Sequence, residues 1–285
     1  MLLDDPRQAG RDAVLAMRNH LGGDLWTTPD RRLQKGGPFS AIGAPLLLLE
    51  LGADPREPVL REAADLVFSA WREDGRFKLS PEGAIYPCQT IHALRTLCCL
   101  GYAADARLAK TFAHLLAIQH GDGGWRCLKF SFGRGPETEF SNPGPTLMAL
   151  DAFRFTPMVN HSDALNRAVE FLLAHFVTRR PLGPCHYGIG TLFMQVTYPF
   201  LTYNLFYYMY VLSFFDMAKK DARFHEALAI LEAKLVNGQI VTERPHPKLK
   251  EFAFCKKGEP SLPGTLRLQE IWGNLGGGAV RWAGC

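Results

Sequence analysis

The sequence predicts an all-α protein folded over residues 1–285 as a single α/α toroid of about five helical hairpins, with an inner apolar ring and an outer amphipathic ring. Three observations predict it. Runs with apolar residues at helical spacing fill the chain. Connectors bearing an aspartate recur as LGADPR, LGYAADAR, FTPMVNHSDALNR and FDMAKKDAR, which spaces Asp54, Asp105, Asp163 and Asp221 by 51, 58 and 58 residues. A glycine-bearing turn also recurs, as WREDGRF at 71–77, QHGDGGW at 119–125 and KLVNGQI at 234–240.

Taken in order, the chain opens with an amphipathic helix at 6–21. Helices apolar nearly all round follow at 40–51, 88–100, 143–155, 199–215 and 263–272. Between them lie helices with one charged face, at 58–71, 106–118, 163–176 and 222–236. The four connector aspartates are expected as N-caps, accepting from the free amides that open the next helix. The first helix would close the outer ring against the last hairpin.

Composition narrows the partners. With 47% hydrophobic and 21% charged residues the chain reads as an ordinary globular protein, and a net charge of +4 is too small for a duplex-binding surface. No nucleic acid is expected. Residues 181–215 carry no Asp, Glu, Lys or Arg, yet Pro199, Gln195, Asn204 and several tyrosines interrupt them, so a buried helix after a long loop is expected rather than a membrane span. A peripheral membrane contact through an apolar face is the remaining membrane reading. The chain start lacks a signal-peptide pattern and Cys98-Cys99 sit in an apolar run, so a cytoplasmic location is expected.

The stretch LLAIQHGDGGWRC, with Gln119, Gly124 and Trp125, resembles the QW-type repeat of the terpenoid cyclase and protein prenyltransferase toroid superfamily. YPCQTIHALRTLCCLGY resembles a further repeat, and EPSLPGTLRLQEIW a closing inner helix of bacterial prenyltransferase-like or squalene-cyclase-like proteins. The resemblance implies a toroid in which the QW residues are packing elements, and an enzyme acting on an isoprenoid. The chain departs from the superfamily's chemistry. It has no D-x-D-D acid and no D-D-x-x-D metal motif, since Asp4-Asp5 is followed by Pro6, Arg7 and Gln8, and no Asp stands two residues before a Cys.

Connections into the apolar helices are long, at 22–37, 73–85, 120–141, 178–197 and 237–260, and all five fall on one face of such a ring. Together they carry the whole net charge of +4, so an anion is expected there. Its candidate contacts are Arg126, Lys129, Arg134, Arg179, Arg180, Arg244, Lys248, Lys250, Lys256 and Lys257. The starts of the apolar helices nominate a cavity wall of Tyr86, Cys88, Gln89, His92, Phe140, Asn142, Tyr198, Tyr203, Asn204, Tyr207 and Phe252. Aromatic walls suit a prenyl chain and equally suit a packed core.

Two further constellations are chemical. Cys88, Cys127, Cys185 and Cys255 fall in different repeats beside long connections, with His186 next to Cys185 and His92 one turn from Cys88. Such soft ligands suit zinc or an iron–sulfur cluster, or a reactive thiolate beside His186. Glu139 and Glu259 stand at the mouths of apolar helices, where a carboxyl in an apolar setting would be a general acid and, in the alternative, a first-turn acid would complement the helix dipole. Three functions follow as expectations: transformation or binding of an isoprenoid-like apolar substrate in the central cavity, a metal-dependent transferase using the Cys and His rim, or a non-catalytic binding scaffold, which a side-chain-filled centre would favour.

Overall fold

Residues 143–153 are apolar on every side apart from Asp151 and Thr146, and such a segment is stable only when surrounded. It forms a helix in which every residue is buried. The computed structural model describes residues 6–276; among these the chain forms twelve α-helices with short 3-10 and π turns, isolated β-bridges and no strand. The protein is all-α. In chain order the helices are α1 (Pro6–Ala16), α2 (Ala44–Glu50), α3 (Pro58–Phe68), α4 (Pro87–Leu97), α5 (Ala106–Ala117) and α6 (Pro143–Phe153). There follow α7 (Asp163–Thr178), α8 (Thr191–Met194), α9 (Leu205–Leu212), α10 (Asp216–Lys219), α11 (Ala222–Glu232) and α12 (Leu262–Gly276). The Asp4-Asp5 pair lies outside the described residues.

The ten expected helices all occur, with shifted ends. The largest correction is at 199–215, where helix begins only at Leu205: the Tyr198-Pro199 peptide is cis, residues 201–204 are irregular, and Asn204 caps α9 by accepting from the Tyr207 N–H at 3.0 Å. Two of the four aspartate caps also differ. Asp105 and Asp221 accept from the N–H groups of Arg107 and Arg223 at 2.9 and 2.8 Å, as an N-cap should. Asp54 closes a turn ahead of α3, because Pro58 moves the helix start to Glu57, and Asp163 lies inside α7 behind an N-cap at Ser162.

Each apolar helix lies against the next. α4 packs on α6, α6 on α9 and α9 on α12. Thr96 of α4 donates to the Ile42 carbonyl ahead of α2 at 2.9 Å, and Arg267 of α12 meets Glu50 of α2 at 3.0 Å. The amphipathic helices back them, α1 on α2, α3 and α5 on α4, α7 on α6 and α11 on α9.

The recurring turn explains how neighbouring hairpins register. The residue after each turn donates its backbone N–H to a threonine on the next apolar helix: Phe77 to Thr90 at 3.1 Å, Trp125 to Thr146 at 3.0 Å, Ile240 to Thr265 at 3.1 Å. The turn glycines hold a positive φ, and a Cβ on Gly75 or Gly123 would lie 2.6 or 2.5 Å from the backbone of the following amphipathic helix. Gln119 donates to the carbonyls of Gly123 and Ala164 at 2.7 Å, and the Trp125 indole donates to that of Leu115 at 2.8 Å. The QW-like residues are packing elements in this chain.

Candidate functional site

The apolar helices carry charges that face one another. Asp151 of α6 accepts from Arg95 of α4 at 2.5 Å, from Arg154 at 2.7 Å and from the Tyr207 hydroxyl of α9 at 2.7 Å. Arg267 of α12 binds Glu50 at 3.0 Å and Glu270 at 3.0 Å; Glu270 also accepts from the Tyr210 hydroxyl, and Glu50 from that of Tyr198. Burial alone would raise the Asp151 pKa, but the charges of Arg95 and Arg154 and the Tyr207 hydroxyl hold it down, at about 2. Burial, reinforced by the neighbouring carboxylates, keeps Tyr198, Tyr207 and Tyr210 protonated, so each remains a donor. Only about 10 Å³ of free space is left beside this network, between Glu50, Arg95, Asp151 and Arg154. Side chains fill the space around this network, where Tyr198 and Tyr207 are bonded to Glu50 and Asp151.

A second cavity of about 170 Å³ lies beside it, toward the starts of α2, α4 and α9, with Ile42, Leu46, Met148 and Leu201 in its wall and Gln34, His92, Arg95 and His246 as its polar groups. The Gln34 amide nitrogen donates to His92 Nδ1 at 2.5 Å. Burial lowers the His92 pKa to about 4, helped by Arg95 and Lys129, so the imidazole is neutral. This volume is below the roughly 300–1,000 Å³ of clefts that take drug-sized molecules.

The large cavity is elsewhere. Between α7 and the loops at 120–141 and 178–190 runs a groove of about 800 Å³. Its walls are apolar, with Phe140, Phe171, Pro136, Pro181 and Leu182, and its polar groups are Asp122, Glu137, Glu170, His175, Arg180 and His186. The three acids are engaged. Asp122 accepts from the N–H and hydroxyl of Ser141 at 2.7 Å, Glu137 from the N–H groups of Arg134 and Gly135 at 3.1 Å, and Glu170 pairs with Arg223 at 2.6 Å. Arg180, the one Arg or Lys among the groove's described lining residues, has no ion-pair partner among the described residues, so it is free to meet an anion. Neutral His175 forms the inner wall, donating from Nε2 to the Arg180 carbonyl at 2.9 Å and accepting from the Tyr203 hydroxyl at 3.0 Å.

The remaining expected residues take other parts. Gln89 and Tyr86 form a capping box at the start of α4, with the Tyr86 N–H donating to Gln89 at 3.2 Å, and Asn142 is a buried strut that holds Cys127 and Cys185. Neither Glu139 nor Glu259 sits in an apolar setting: Glu139 is 75% exposed and 3.5 Å from Arg126, and exposed Glu259 is 3.8 Å from Lys256. That corrects the expected apolar setting of both carboxyls, which stand in water. Lys257 is exposed and distant in sequence from the groove loops, and Phe252 packs on Phe39 and Phe254.

Of the expected metal ligands, Cys88, Cys127 and Cys185 come together, whereas Cys255 is buried apart with its thiol 2.9 Å from the Leu249 carbonyl, and His186 faces the groove. Among the described residues no three His, Cys, Asp or Glu side chains are arranged to hold a metal ion, so the expected zinc or iron–sulfur set is not formed. Sequence reasoning missed the six buried charges of the apolar helices, although Asp151 with Arg154 and Arg267 with Glu270 share an i,i+3 spacing on otherwise apolar faces. No protein-family model matches the chain, and no curated protein matches it.

Proposed function

We propose that the chain is an α/α toroid of five hairpins whose filled centre is structural, and that it binds an amphiphile with an isoprenoid-like apolar chain and an anionic head in the groove beside α7. The observation that carries this reading is the groove itself: about 800 Å³, walled by Phe140, Phe171 and Leu182, with unpaired Arg180 at its edge. Apolar burial would hold the chain, at about 25 cal/mol per Å² removed from water, and the guanidinium would hold the head. With Asp122, Glu137 and Glu170 already bonded, the groove offers no free acid, so the reading is of a binding protein rather than a cyclase. The closed ring is supported by the Glu50–Arg267 pair, and the QW-like turn supports the likeness to the toroid superfamily. Among the described residues six cysteines stand free, as suits a reducing cytoplasm.

Farnesyl phosphate is the direct probe. Saturable binding by calorimetry is expected, weakened at least tenfold, or about 1.4 kcal/mol, by Arg180→Glu and by Phe140→Asp. Absent binding, or binding that neither change weakens, would overturn the proposal.

The rim beside the groove suits a lipid surface. Phe130 and Phe132 stack on each other at 53% and 65% exposure, next to exposed Leu128, and the same loop carries Lys129 and Arg134. No helix among the described residues is long and apolar enough to cross a membrane, so any contact there is interfacial. Co-sedimentation with phosphatidylserine vesicles is expected, falling severalfold in a Phe130→Ser, Phe132→Ser double variant; equal pelleting of both proteins would exclude this loop as the contact.

A further inference from the structure

The cavity of about 170 Å³ offers hydrogen-bond donors and no acid. Gly37 and Thr202 at its rim are exposed, whereas Ile42, Arg95 and Thr96 at its floor are buried. Arg95 is the one Arg or Lys among its described lining residues, and no Asp or Glu is among them. Only part of the Arg95 guanidinium is used by Asp151. Nε makes that bond, and the other oxygen of Asp151 is taken by Arg154. Among the described residues neither terminal nitrogen of Arg95 has a hydrogen-bond partner, although the side chain is only 9% exposed. One face of the guanidinium rests on the Tyr207 ring, 5.0 Å from its centroid, which fixes the plane. Buried donors without partners are costly, and the two terminal nitrogens of an arginine form the fork that takes a carboxylate through parallel bonds.

Two imidazoles add donors to the same cavity. The Gln34 amide nitrogen donates to His92 Nδ1, and the Lys248 backbone N–H donates to His246 Nδ1 at 3.2 Å. Each Nδ1 is thereby an acceptor, so in a neutral ring the proton sits on Nε2. Burial, helped by nearby cations, lowers both pKa values, so both rings are neutral at pH 7. Neither Nε2 has a hydrogen-bond partner among the described residues. His92 also stands three residues before Arg95 in α4, which puts the two side chains on one face.

We propose that this cavity binds a small organic monocarboxylate, its carboxylate on the terminal nitrogens of Arg95 and the Nε2–H of His92, its apolar body against Ile42, Leu46, Met148 and Leu201. The donor set selects an anion, because the lining holds a cation and no acid. The apolar wall selects an organic anion over inorganic phosphate, which would lose hydration there without gaining partners on that side. A cavity of roughly 150 Å³ takes benzene, so a ring or short branched chain of about that size suits this one. The site shares no lining residue with the groove beside α7 and does not rest on the reading of that groove.

Benzoate is the probe, titrated into the full chain by calorimetry beside benzamide and inorganic phosphate. Saturable binding of benzoate is expected, with benzamide and phosphate weaker by about tenfold or more, since each lacks either the charge or the apolar body. Arg95→Met should weaken benzoate about tenfold, His92→Phe severalfold, and Leu201→Trp, which fills the cavity from its wall, should abolish binding. Farnesyl phosphate should not displace benzoate. Absent or non-saturating benzoate binding, equal binding of benzamide or phosphate, or binding that neither His92→Phe nor Leu201→Trp weakens would overturn the proposal, and these two variants decide it even if Arg95→Met fails to fold. Displacement by farnesyl phosphate would move benzoate to the groove and overturn it as well, while leaving the groove reading intact.

Discussion

Asp151→Ala is expected to destabilise the protein by about 3–5 kcal/mol, the loss found when one partner of a buried ion pair is removed. The carboxylate is buried and its oxygens are shared among Arg95, Arg154 and Tyr207. Without it, Arg95 and Arg154 are left facing one another with no shared anion, and little free space beside them lets them move apart. A denaturant titration of the variant and its parent gives the difference directly. In a double-mutant cycle, Arg95→Met should cost less in the Asp151→Ala background than alone, by on the order of 1 kcal/mol, because it removes a charge that has lost its partner. A loss below 1 kcal/mol for Asp151→Ala would mean that the network is hydrated and not a structural centre.

The second large effect is on acid stability. Burial holds the His175 pKa near 4, against an ordinary value of 6.5, despite favourable hydrogen bonds to the Arg180 and Tyr187 backbone. The folded state therefore resists a proton that the unfolded chain accepts, so the stabilisation is complete above pH 6.5 and is lost as pH falls toward 4. The loss on crossing that window is on the order of 3 kcal/mol for His175. Half-buried His92, lowered likewise to about 4, adds a smaller loss over the same range. Asp151 acts lower down, its contribution fading only between its ordinary pKa of 3.8 and about 2. Unfolding midpoints between pH 7 and pH 4 separate these groups. His175→Gln should remove at least half of the decline above pH 4, and a variant that declines as steeply as the parent would show that His175 titrates freely in the native state.

Much of the helical framework was legible in the residues. Asp105 and Asp221 mark real N-caps, and the glycine turns at 71–77 and 119–125 mark real junctions, because a cap and a positive φ each depend on a few adjacent residues. Asp54 and Asp163 misled because Pro58 and Ser162 moved the helix starts, a competition that spacing alone does not resolve. The stretch 199–204 read as helix on apolarity and is irregular, held by Asn204 acting as a cap instead of as a wall residue.

Site residues divided along the same line. Phe140, Arg180 and His186 were accessible as loop residues near one face, and all three line the groove. Phe171 and His175 were not, since they lie on a helix that read as wholly outer and structural; only the loop folding back over α7 makes them a wall. The turn-to-helix contacts were written more openly than they were read: Thr90, Thr146 and Thr265 recur in Pro-Cys-Gln-Thr, Pro-Gly-Pro-Thr and Leu-Pro-Gly-Thr at the same position of three apolar helices. Periodicity records how apolar a helix is, whereas these threonines and the buried arginines report what crosses from one helix to the next.

Where an amphiphile sits decides between a structural centre and a ligand-binding one. Farnesyl phosphate carrying a photoreactive group on its chain, irradiated on the protein and mapped by peptide mass spectrometry, should label residues 136–140 and 171–186, and unlabelled farnesyl phosphate should suppress that labelling. Labelling of residues 34–46 or 92–96 around the smaller cavity instead would contradict the account and place the ligand beside the apolar helices.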